Sequence, residues 1–236
     1  MTESELPSLE DSSPQKRGWV LGYYGFWVVL TYLGVAAAVV GMNFALAGKI
    51  KTAVICLMIA GICDMFDGPV ARLAKRTDRE KKFGIQIDSL ADIISFGILP
   101  AIIGYSIFAN DSTQNSSYFG PAAVNVIISV YVLAALVRLA YFNVTEAELQ
   151  SKDKKRKYFD GMPVTSVALL IPIIYSVCVY FGLHLSDIYN QSLIVFSAAF
   201  VLKIKIPKLK LKHLIIFCLI GLPVIIYIFL SKAAKI

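Results

Sequence analysis

Asp64-Met-Phe-Asp67-Gly68-Pro-Val-Ala71-Arg72 and, after a basic spacer, Gly84-Ile-Gln-Ile-Asp88-Ser-Leu-Ala-Asp92 put four carboxylates within or beside two strongly apolar segments. A charged side chain at a bilayer centre costs about 2.5–3.5 kcal/mol on insertion scales, so four together call for a neutralising cation. Asp64 and Asp67 are about one helical turn apart, as are Asp88 and Asp92, and each pair therefore shares a helix face. Two facing helices would present a cage of hard oxygen ligands, the type that suits Mg²⁺, Mn²⁺ or Ca²⁺.

The composition places these segments in a membrane. Of 236 residues, 57% are hydrophobic, and the mean hydropathy is +0.69. Several apolar runs approach the roughly twenty residues needed to cross a hydrocarbon core. A soluble helical bundle does not fit, because the polar loops left over could not clothe such a core. The predicted fold is all-α: a polytopic transmembrane helical bundle of six to eight spans, with seven the best count. Residues 1–18, polar and then basic, are expected to form a disordered cytoplasmic tail rather than a signal peptide. Residues 19–236 are expected to form a single membrane-embedded catalytic domain.

Spans are predicted from about Phe26 to Ala47, from Thr52 to the first aspartate motif, and from Gly84 to about Phe108. Further spans cover Pro121 to Val144 and Met162 to Gly182, with a short one ending near Leu202. A last run, Leu214 to Leu230, is the seventh. Arg72 to Lys82 reads as a spacer loop. The N-terminus, this spacer, the 152–157 run and the 203–212 run carry 18 of the 23 Lys and Arg residues. By the positive-inside rule they face the cytoplasm, which also explains the net charge of +7 without nucleic acid. The basic runs also suit anionic lipid headgroups. Trp19, Tyr23, Tyr24 and Trp27 read as an interfacial belt. The four cysteines (Cys56, Cys63, Cys178 and Cys218) lie in apolar segments without zinc-ligand spacing and read as buried thiols. His184 and His213 fall at span ends and are expected to carry no chemistry. Asn115-Ser-Ser117 matches a glycosylation sequon, uninformative without a secretory context.

Helical rise then sets the depth of each carboxylate. Asp88 lies about 6 Å and Asp92 about 12 Å above Gly84, while Asp67 lies about 7.5 Å and Asp64 about 12 Å above Arg72. Asp67 is thus level with Asp88, and Asp64 with Asp92, in one cluster reachable from cytoplasm and lipid. A cation held there beside Arg72 suits a diphosphate, because it neutralises phosphate oxygens and charge on a phosphate leaving group. Arg72 offers a bidentate fork to phosphate. Gly68 and Gly84 either admit a bulky ligand or permit close helix packing. Asp92, the deepest carboxylate on its span, is the natural acceptor for a proton from an attacking alcohol.

The pattern Asp64-x₂-Asp67-Gly68-x₂-Ala71-Arg72-x₁₁-Gly84-x₃-Asp88-x₃-Asp92 resembles the signature of the CDP-alcohol phosphatidyltransferase family, with a spacer a few residues longer than usual. The resemblance implies a homodimer that transfers a phosphatidyl group from a CDP-lipid, CDP-diacylglycerol, to an alcohol and releases CMP. It implies that Asp64, Asp67, Asp88 and Asp92 form the metal site and that Asp92 doubles as the base. Asp64, Asp67, Gly68, Ala71, Arg72 and Gly84 would bind the CDP moiety. The expected location is the plasma membrane of a prokaryote, with the site on the cytoplasmic side, where the basic residues gather.

Ser95-Phe96-Gly97 with Pro100, Arg138-Leu-Ala-Tyr-Phe-Asn143 and Phe159-Asp-Gly161-Met-Pro163 resemble the branch of that family whose acceptor is L-serine. Tyr141 and Met162 depart from its usual pattern. Arg138 lies about 12 Å from the inner end of its span, counted from Glu146. There it would hold a serine carboxylate or a lipid phosphate, or only neutralise the aspartates. Asn143 would bind polar substrate or cap a helix end, and Ser95 completes the expected acceptor site. Glycerol 3-phosphate or inositol phosphate as acceptor keeps the same chemistry. A divalent-cation transporter would need polar residues continuing across the membrane, and Ile93-Ile-Ser-Phe-Gly-Ile-Leu-Pro100 supplies few.

Overall fold

The computed structural model describes residues 21–111, 118–151, 158–203, 205–207 and 223, with the backbone alone given at 147–151, 158–160 and 205–207. The tail, Trp19, the sequon, the 152–157 run, His213, Cys218, the 214–230 run apart from Pro223 and most of the 203–212 run lie outside the described residues. Helices dominate: α1 (Val29–Leu46), α2 (Ile50–Leu73), α3 (Asp78–Asp92), α4 (Leu99–Ala109), α5 (Pro121–Ser151), α6 (Val167–Phe181) and α7 (Leu185–Val201). Counting their 3₁₀ and π extensions, five described segments are long and apolar enough to cross a membrane: Phe26–Leu46, Ile50–Leu73, Asp78–Ala109, Pro121–Glu146 and Val164–Phe181. The chain is an integral membrane protein. The short span expected sixth is α7, with 17 residues, about 25 Å of rise. The expected seventh span, apart from Pro223, falls on residues not described. One small departure from an all-helical chain is an antiparallel ribbon of β1 (Tyr158–Asp160) and β2 (Lys205–Pro207).

The α1–α2 hairpin is built by small residues. Thr31, Gly34, Ala38, Gly41 and Ala45 recur every three or four positions and are the buried face of α1. A Cβ at Gly41 would stand 2.8 Å from Cys56 Cβ, and one at Gly34 would stand 3.3 Å from Cys63 Cβ. Seven residues down one helix thus match seven along the other, as close packing of small residues between membrane helices allows. The next step brings Thr31 to Asp67.

The predicted Arg72–Lys82 loop is mostly helix. Alpha-helix α2 runs to Leu73, and Thr77 starts α3 with a capping box: Glu80 N donates to Thr77 Oγ1 at 3.3 Å and Thr77 N donates to Glu80 Oε2 at 2.8 Å. This reciprocal pairing satisfies two amide donors at the helix start, and Asp78 and Glu80 also suit its positive end. Helix α3 therefore begins about 9 Å before Gly84.

Helix α3 passes into α4 through a π-turn at Ile93–Ile98. Pro100 has no amide hydrogen and cannot donate to the Phe96 carbonyl as an α-helix requires. Tyr131 Oη from α5 donates to that carbonyl instead, at 2.7 Å, and Tyr189 Oη from α7 donates to the Pro100 carbonyl at 3.0 Å. Two buried tyrosines thus hold the break that begins directly after Asp92. At the opposite end of the bundle, His184 joins Asp187 (Nδ1, 2.9 Å) to Asp111 (Nε2, 3.1 Å), a link between the loop after α4 and the start of α7.

Candidate active site

Asp64, Asp67, Gly68, Ala71 and Arg72 lie within about 140° of arc on α2, counted at 100° per residue. Gly84, Asp88 and Asp92 face them from α3. One oxygen from each of Asp64, Asp67 and Asp88 lies within 4.8 Å of the others. The side chains of Asp67 and Asp88 are in hydrogen-bonding contact, as are those of Asp64 and Asp92. These are the two level pairs that helical rise predicts. Asp92 stands outside the three-oxygen group and borders it through Asp64. An all-carboxylate donor set of this compactness fits a hard cation.

The two glycines differ. A Cβ at Gly68 would meet nothing within 4 Å, and the residue is exposed, so this side of α2 is open. Arg72 is exposed on the next turn. A Cβ at Gly84 would meet Arg76 Nη1 at 3.2 Å and Trp27 Cζ3 at 3.3 Å. Gly84 thus permits close packing, beneath an Arg76 guanidinium that stacks 5.3 Å from the Trp27 ring centre. Trp27 is buried there and is not part of an exposed belt, whereas Tyr24 is exposed.

Arg138 is 4% exposed. Its Nε donates to the Met162 carbonyl at 3.2 Å and its Nη2 to the Gly161 carbonyl at 3.4 Å. Gly161 has φ +82°, and a Cβ there would stand 3.0 Å from the Leu202 carbonyl oxygen, so the turn requires glycine. Two motifs far apart in sequence, around Arg138 and Gly161, therefore meet. Asn143 is not a helix cap, since α5 continues to Ser151. Its Nδ2 donates to Ser89 Oγ at 2.8 Å, and Ser89 Oγ donates to its Oδ1 at 3.0 Å. This ties α5 to α3 between Asp88 and Asp92. Ser95 is buried within the π-turn.

Thr31 and Ser89 were not among the residues the sequence singled out. Ser89 stands inside the second aspartate motif. Thr31 is the one hydroxyl on the small-residue face of α1, and its Oγ1 donates to Asp67 Oδ2 at 3.1 Å.

A family model for CDP-alcohol phosphatidyltransferase matches residues 28–204. The chain is similar to the CDP-diacylglycerol–serine O-phosphatidyltransferase of Saccharomyces cerevisiae, 35% identical over 173 residues, which are 71% of this chain and 54% of that protein. It is 29% identical to the Mycobacterium tuberculosis protein of the same description over 153 residues, 65% of this chain and 49% of the relative. The archaetidylserine synthase of Methanothermobacter thermautotrophicus is 30% identical over 174 residues, 74% of this chain and 62% of the relative. The chain spans about half to three fifths of the length of these relatives.

Proposed function

The chain belongs to the CDP-alcohol phosphatidyltransferase family, and from that premise we propose that it transfers a phosphatidyl group from CDP-diacylglycerol to the hydroxyl of L-serine, giving phosphatidylserine and CMP. The observation that carries the reading is the convergence of Asp64, Asp67 and Asp88 oxygens within 4.8 Å, beside the open face at Gly68. Serine as acceptor is supported by the relatives, a CDP-diacylglycerol–serine O-phosphatidyltransferase in two organisms and an archaetidylserine synthase in a third.

Asp64, Asp67 and Asp88 would hold a divalent cation, Mg²⁺ or Mn²⁺, with Ca²⁺ able to use the same donors, and Asp92 would border it. Bound there, the cation supplies charge neutralisation on the diphosphate and on the departing CMP. Gly68 and Ala71 leave room for the nucleotide, and Arg72 presents its guanidinium fork to phosphate. Gly84 contributes by letting Arg76 lie close to α3. Asp92 accepts the serine hydroxyl proton as the serine oxygen bonds to the lipid-side phosphorus. The bond from that phosphorus to the CMP oxygen breaks, and CMP leaves with the electron pair. Arg138, buried and oriented by the Gly161 and Met162 carbonyls, carries the planar guanidinium that suits the serine carboxylate. Asn143 and Ser95 line the acceptor side, with Ser89 holding the Asn143 carboxamide.

The basic residues at the aspartate end support a cytoplasmic site in a plasma membrane, and a homodimer is the proposed assembly. The test is CMP release by protein purified in detergent with Mn²⁺ or Mg²⁺ and CDP-diacylglycerol, across a panel of alcohols. Release that needs L-serine and is lost in Asp92→Asn supports the reading. Release only with glycerol 3-phosphate or inositol phosphate would discard serine and retain the chemistry.

A further inference from the structure

Thr31 lies on α1, a helix that carries none of the aspartates. Hydroxyls inside membrane helices commonly bond back to the carbonyl one turn earlier. Ser129, Ser176 and Ser197 do so here, each donating to a carbonyl four residues before it. Thr31 instead donates across the helix interface, to Asp67 Oδ2 at 3.1 Å, and both side chains are buried. Its neighbours on the same face, Gly34, Ala38, Gly41 and Ala45, are all apolar. A valine would fill the same volume without the hydroxyl. The hydroxyl thus ties one oxygen of Asp67, a member of the three-carboxylate group, to α1.

We propose that Thr31 is a positioning residue that sets the orientation of the Asp67 carboxylate for cation binding. The inference rests on the reading of the aspartate cluster as a cation site. Thr31 acts on the cation through Asp67, as hydrogen-bond partners of metal ligands do elsewhere. Removing such partners typically lowers metal affinity 10- to 100-fold.

The experiment measures Mn²⁺ binding to the full-length protein in detergent, without substrate, from the paramagnetic resonance signal of free Mn²⁺. Thr31→Val is expected to weaken binding by roughly 10- to 100-fold, while Thr31→Ser keeps wild-type affinity. Gly34→Ala strains the same interface against Cys63 without touching Asp67, so it should lower the unfolding temperature and leave Mn²⁺ affinity unchanged. Should Thr31→Val not fold, Thr31→Ala, which only removes atoms, is measured in its place. Wild-type affinity in the variant lacking the hydroxyl would overturn the proposal, as would an equal loss in Gly34→Ala. Wild-type protein that binds no Mn²⁺ would overturn the cation reading and this inference with it. Binding by wild type that is indifferent to Thr31 would overturn only this inference.

Discussion

The carboxyl group of Asp64 on α2 meets that of Asp92 on α3, one contact deeper than the meeting of Asp67 with Asp88. Antiparallel helices make this possible: the residue three positions before Asp67 lies level with the residue four positions after Asp88. Asp92 consequently reaches the cluster at its edge, while Asp64, Asp67 and Asp88 share its centre.

This placement separates binding from proton transfer. Asp88→Asn is expected to weaken Mn²⁺ binding and abolish CMP release together. Asp92→Asn is expected to retain most Mn²⁺ affinity while turnover falls by about 10²–10⁴-fold, the usual worth of a general base. Parallel Mn²⁺ titration and CMP-release assays check the split. Equal loss of both quantities in Asp92→Asn would make it an ordinary ligand.

Cation removal should also be visible in stability. Clustered carboxylates repel one another once ionised, and an agent that binds only the folded protein stabilises it by about 2.7 kcal/mol at a hundred times its dissociation constant. EDTA is therefore expected to lower the unfolding temperature in detergent and to stop CMP release. Added Mg²⁺ or Mn²⁺ should restore both.

Gly68 and Gly61 are expected to respond oppositely to alanine. At Gly68 the added methyl meets nothing, so Gly68→Ala should preserve or raise stability, by up to about 1 kcal/mol as in any helix, yet raise KM for CDP-diacylglycerol. At Gly61 the methyl would lie 2.5 Å from Ala168 Cβ, and Gly61→Ala should cost about 1–3 kcal/mol through overpacking. Thermal unfolding alongside substrate titration distinguishes the two.

Tyr131→Phe removes the donor to the Phe96 carbonyl, whose helical partner is absent because residue 100 is proline. The carbonyl is then left buried without that bond, at an expected cost of about 1–3 kcal/mol. The unfolding temperature reports it. Tyr141→Phe, at an exposed position, serves as the control with no expected change.

Arg138→Lys keeps the charge but cannot reproduce a fork that reaches the Gly161 and Met162 carbonyls together. KM for L-serine should rise more than KM for CDP-diacylglycerol. An equal rise in both would place Arg138 in support of the 161–162 turn alone.

Local periodicity in the sequence alone determined most of the membrane architecture. Apolar run length set the spans, and the distribution of basic residues set the expected orientation. The spacings from Asp64 to Asp67 and from Asp88 to Asp92 set which carboxylates lie level. Each depends on distance along one helix, where the rise per residue is constant. The capping box at Thr77 and Glu80 was equally local, so the helical start of α3 was legible there although the basic spacer reads more readily as a loop.

Relations between helices were decided only by the tertiary structure. The sequence left Gly68 and Gly84 equivalent, yet one faces open space and the other lies against Trp27 and Arg76. Asn143 could cap a helix or bind a polar group, and the approach of α3 made Ser89 its partner. Thr31 gave no sign of Asp67, 36 residues away in the chain. Such choices turn on how far each helix is rotated and shifted against its neighbour. Small residues packed across the interface fix that rotation, whereas the period within either helix leaves it free.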